Sequence, residues 1–122
     1  MLPYHRFFLS NGLEVIVHED HTSKIAVFNL LYKVGSRFEK EGKTGLAHFF
    51  EHLMFGSSAN VPEFDRALER VGGQCNAFTS PDITNYYMTL PASNLETAFW
   101  LESDRMLQLT LSEKTVETQR KV

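Results

Sequence analysis

His48, Glu51 and His52 are the residues whose types and spacing point most directly to chemistry. They stand in the run Gly45-Leu46-Ala47-His48-Phe49-Phe50-Glu51-His52-Leu53-Met54-Phe55, a His-x-x-Glu-His pattern. A helix turns about 100° per residue, so two histidines four positions apart lie one turn apart on the same face. Neutral imidazole is a good Zn²⁺ ligand, and two from one helical turn can share one tetrahedral ion. Glu51 falls beside them, where its carboxylate reaches a water next to the ion instead of the ion itself. The expected roles are therefore His48 and His52 as metal ligands and Glu51 as catalytic base. The competing reading is a solvated helix face that happens to hold two histidines. Such a face more naturally carries Lys, Arg, Gln and several Glu. Here Phe55 continues the stripe, as expected of a face that lines a cleft.

The elements that must position this helix can be read on either side of it. Phe7 to Leu9 and Leu13 to His18 read as strands joined at Asn11-Gly12, a strong two-residue hairpin signal. Ile25 to Val34 is a longer β-branched and aromatic run, followed by a charged loop from Gly35 to Lys43. Thr44 is the candidate N-cap of the histidine helix, which is expected over Gly45 to Phe55 with Gly56 as its stop. Its opposite side holds Leu46, Phe49, Phe50, Leu53 and Met54. A second helix is expected from Pro62 to Gly72-Gly73, with Phe64, Ala67, Leu68 and Val71 as its apolar stripe. Gln74 to Thr79 and Ile83 to Leu90 read as strands around the turn Ser80-Pro81-Asp82. Ser93-Asn94-Leu95-Glu96 has the form of a capping box opening a long helix, and Ser112 can cap a last one from Glu113. The order implies an α+β fold, a mostly antiparallel mixed sheet packed against helices.

Bulk properties restrict the rest. The 122 residues suit one domain with a single core, and 43% hydrophobic with 22% charged residues is an ordinary globular balance. A net charge of −3 and the lack of a Lys/Arg cluster argue against nucleic acid as a partner. No apolar stretch is long enough to span a bilayer. The first residues lack the basic-then-apolar order of a signal peptide, so a soluble protein is expected, periplasmic or cytoplasmic if bacterial. Cys75 reads as a small packed residue. His5, His18 and His21 read as surface residues, and Trp100 and the phenylalanines as core. Tyr86 and Tyr87 read as strand packing, and Glu102, Asp104 and Arg105 as a solvated helix face with local charge pairs.

Taken in order, these residues resemble the pitrilysin family of inverzincins, which includes insulin-degrading enzymes and mitochondrial processing peptidases. The resemblance runs through Leu9-Ser10-Asn11-Gly12-Leu13, Val34-Gly35-Ser36, the histidine motif, Gly72-Gly73, Asn76-Ala77-Phe78-Thr79 and Thr84-Asn85-Tyr86-Tyr87. It implies a zinc-dependent endopeptidase acting on peptides or unfolded segments, with Asn76 and Ala77 on a substrate-binding strand. Read from the residues alone, that strand simply pairs within the sheet. The resemblance also implies a third ligand, a Glu on the helix from Glu113, expected a few residues past Val122. Neither Glu113 nor Glu117 matches its position. Gln119 stands where many members have an assisting Glu. Residues 1–122 are accordingly expected to be one N-terminal domain, truncated at its C-terminal end, part of one half of a chamber and inactive alone. The rest of the chain or a related subunit would complete it, and exposed apolar surface would favour a homo-oligomer. A non-catalytic structural or partner subunit of the same family is the alternative. Its mark is a broken metal motif, and the motif here is intact.

Overall fold

A computed structural model describes residues 2–121. Two antiparallel sheets and four helices form the α+β arrangement, and every strand pairing among the described residues is antiparallel. Strands β1 (His5–Phe8) and β2 (Glu14–Val17) make a separate hairpin. Asn11-Gly12 does turn this hairpin, but inside a longer loop than the two-residue turn expected. Pairing stops at Phe8 opposite Glu14. The Gly12 N–H donates to the Leu9 carbonyl (2.9 Å) with Gly12 at φ +85°, a conformation that favours glycine.

The main sheet holds β3 (Ile25–Tyr32), β4 (Gln74–Thr79) and β5 (Thr84–Pro91) in the order β3-β5-β4. The side chains of β5 alternate in the way a central strand requires. Tyr86, Met88 and Leu90 are buried. Met88 and Leu90 join a core with Phe64 and Leu68 of α2 (Phe64–Glu69) and Ala98 and Leu101 of α3 (Leu95–Leu107), while Tyr86 lies against Tyr32, Phe55 and Arg105. On the opposite face Asn85 and Asn29 exchange two amide hydrogen bonds across the strands (3.0 and 2.8 Å). The turn after β4 is pinned against the segment that follows β3. The Arg37 N–H donates to the Pro81 carbonyl (2.9 Å), and a Cβ on Gly35 would lie 2.3 Å from the Ser80 oxygen. Only glycine permits that approach.

Several local expectations are overruled by tertiary partners. Helix α2 begins at Phe64, not Pro62. The Ser93 capping box does not form: Ala92–Asn94 is a 3-10 turn, and the Asn94 amide donates to the Val71 carbonyl (2.9 Å). Trp100, Phe99 and Phe50 are about half exposed, whereas Phe64 is fully buried. The largest reversal concerns Glu102, Asp104 and Arg105, which are buried instead of solvated. The Asp104 carboxylate accepts from the Ser58 hydroxyl (2.6 Å) and from the Asn60 backbone and side chain (2.9 and 2.6 Å), which holds it below its ordinary pKa. The Arg105 guanidinium is ion-paired with Glu102 and lies over the rings of Phe64 (4.4 Å) and Tyr86 (4.7 Å). Burial pushes the Glu102 carboxyl up, and Arg105 opposes that shift.

Removing one member of a buried pair strands the other charge. Glu102→Ala is therefore expected to destabilise the fold by about 3–5 kcal/mol, read from the urea midpoint at constant slope. A loss below about 1 kcal/mol would be the behaviour of an exposed pair and would contradict this burial.

Candidate metal and active site

Helix α1 (Leu46–Met54) carries the histidine motif, and charged groups fix both of its ends. Thr44 is not the cap. Gly45 occupies that position at φ +87°, and the Glu39 carboxylate accepts from the N–H groups of Gly45 (2.7 Å) and Ala47 (2.8 Å). Those two donors hold the Glu39 carboxyl below its ordinary range. At the other end the Arg105 guanidinium donates to the Met54 carbonyl (3.1 Å). An anion at the N-terminus and a cation at the C-terminus both match the helix dipole. Leu53 is buried on the inner side of the helix, whereas Leu46, Phe50 and Met54 line an open apolar cavity of about 780 Å³, so Phe50 is not in the core as expected.

On the opposite side, His48 is exposed while Glu51 and His52 are half-buried. The two Nε2 atoms lie 3.1 Å apart, with ring centroids separated by 4.7 Å. Two nitrogens bound at ~2.0–2.1 Å to one tetrahedral Zn²⁺ sit about 3.3 Å from each other. The spacing of this pair and its imidazole chemistry fit zinc. Among the described residues no three His, Cys, Asp or Glu side chains gather into a set that could hold a metal, so Glu113 and Glu117 do not complete the site. Both belong to α4 (Glu113–Gln119), which Ser112 caps as expected by accepting from the Thr115 N–H (3.1 Å). Gln119 is partly buried at the end of that helix.

Among the described residues the Glu51 carboxylate makes no hydrogen bond to either imidazole. Its Oε2 accepts a hydrogen bond from the Thr79 hydroxyl, at the end of β4. Asn76 and Ala77 lie on the same strand, which is an edge of the described sheet. The Ala77 N–H donates to the Asn76 side-chain oxygen (2.8 Å). Cys75 is half-buried on the helix side, with its thiol against Asp65 (3.3 Å), and burial pushes that thiol up to about 12. It stays protonated and takes no part in the site. The sequence reading missed Thr79 and Glu39. Period-two alternation from Ala77 places Thr79 on the helix-facing side, a signal that was available. Glu39 gave none, since a loop brings it back to the helix.

The helix that carries the His-x-x-Glu-His motif lies against β4, an edge strand of an antiparallel sheet, and comparison with known proteins assigns the family. The family model for insulinase (peptidase family M16) matches residues 14–122. The chain belongs to that family. It is 41% identical to the zinc protease PqqE of Helicobacter pylori, with 99% of this chain and 28% of that protein covered. The crystal structure of a protease from Helicobacter pylori superposes with a TM-score of 0.93 at 37% identity, covering 99% of this chain and 30% of that one. The crystal structure of pitrilysin gives a TM-score of 0.87 at 29% identity, covering 97% and 13%. The chain thus spans less than a third of the length of these relatives. Among the described residues no helix is long and apolar enough to cross a membrane.

Proposed function

We propose that this chain is the zinc-ligating part of a metalloendopeptidase that hydrolyses peptides or unfolded segments. The convergence of the His48 and His52 Nε2 atoms to 3.1 Å is the observation that carries the reading. His48 and His52 hold the ion together with a donor from outside the described residues. Zinc, when bound, supplies Lewis acidity toward water and toward the scissile carbonyl. Glu51 accepts the proton of the attacking water and passes it to the departing amine. The edge of β4 at Asn76 and Ala77 receives the substrate as an added strand. A peptide carbonyl takes the Ala77 N–H from the Asn76 side chain, giving affinity through the main chain with little demand on sequence. The remainder of the polypeptide or a related subunit encloses the substrate.

The test is cleavage of an unstructured peptide by the complete polypeptide, followed by mass spectrometry. Cleavage at internal bonds should stop with a zinc chelator and return when Zn²⁺ is added back. Cleavage that a chelator leaves untouched would refute the proposal.

A further inference from the structure

The Thr79 hydroxyl joins two elements that are 28 positions apart in sequence, β4 and the motif helix. Its own placement is over-determined. Thr79 lies opposite Thr84 in the β4–β5 register, and their hydroxyl oxygens are 3.4 Å apart. Thr84 is buried and donates its proton to the Val34 carbonyl (3.0 Å). The Thr79 proton is thereby left to Glu51. The next residue, Ser80, is held by its N–H to the Ile83 carbonyl (2.8 Å) and by the close passage of Gly35. A hydroxyl seated in such a frame costs little further ordering when it binds a carboxylate.

We infer that Thr79 is a positioning residue for the base. It occupies Oε2 of Glu51 and fixes the side chain's rotamer, which leaves Oε1 as the oxygen that takes the proton of the attacking water. A glutamate on a half-open helix face otherwise samples several rotamers, and the bond from Thr79 selects one of them. The same strand carries Ala77 and Asn76, about 7 and 10 Å away along β4. A peptide paired to that edge and the base that serves it are thus referenced to one rigid element. This inference rests on the reading of Glu51 as general base.

Kinetics of the zinc-loaded complete polypeptide on one peptide test it. Thr79→Val keeps the shape and removes the donor. It should lower kcat by about ten- to a hundredfold, with KM within about twofold and zinc per chain unchanged. Thr79→Ser retains the hydroxyl and should recover kcat to within about threefold of the wild type. In a Glu51→Gln background the Val substitution should cost less than about twofold more, since the group it acts through is already gone. Wild-type kcat in T79V beside a collapsed E51Q would overturn the role of Thr79 alone. An equal loss from T79V with and without E51Q would also overturn it, as a structural effect. Near-normal turnover in E51Q would instead refute the underlying assignment of the base.

Discussion

Glu51→Gln is expected to abolish most peptidase activity of the complete polypeptide while leaving its zinc in place. Gln preserves the length and shape of the side chain and can still accept from the Thr79 hydroxyl through its amide oxygen. What it loses is the ability to take a proton. Removal of a general base costs typically 10²–10⁴-fold in rate, so turnover should fall by at least about a hundredfold. The zinc content should not change, because the two imidazoles that converge to 3.1 Å are untouched. KM should change little, since the role proposed for Glu51 is on the water and that proposed for the β4 edge is on the peptide. Side-by-side kcat and zinc measurements on the two proteins decide the matter. A variant that turns over near normally would remove Glu51 from the mechanism, and one that loses its zinc would recast it as a ligand.

The features that the sequence made legible are those with a local period. The four-residue spacing of His48 and His52 needs only a helix to bring the rings together, and α1 supplies it. The run from Ile83 to Leu90, rich in β-formers after a turn signal, needs only local propensity to be a strand, and β5 occupies it. Ser112 caps α4 because its donor lies three residues ahead, within the same turn.

What stayed hidden depends on partners distant in the chain. Arg105 and Glu102 carry charges that alone would be solvated. Their burial follows from Phe64, Tyr86 and the Met54 carbonyl, which the fold places around them. The Thr44 signal was real as a propensity, but the Glu39 carboxylate reaches back across the loop and takes two helix donors at once. Thr44 has nothing left to do. The Ser93 box lost in the same way, because the Asn94 amide found the Val71 carbonyl and the chain tightened into a 3-10 turn. Trp100 illustrates the converse: an aromatic expected in the core is half exposed on α3. At the candidate site the histidines were legible and their surroundings were not. The hydroxyl that holds Glu51 lies on a strand 28 residues away.

The second large effect belongs to the histidines. Each contributes one Nε2, and the pair is the donor set on which the whole reading depends. Loss of an outer-shell partner costs a zinc site roughly 10–100-fold in affinity, so deletion of a direct ligand should exceed about a hundredfold. His48→Ala and His52→Ala should each strip the metal on dialysis and remove peptidase activity, and the double variant should do so completely. The fold should survive: His48 is exposed, and neither ring belongs to the buried core. Metal analysis of the dialysed complete polypeptide, wild type beside the H48A/H52A variant, is therefore the most direct measurement. The wild type should carry about one Zn²⁺ per chain and the variant less than about a tenth of that. Stoichiometric zinc in the folded double variant would place the metal elsewhere and contradict the assignment of His48 and His52.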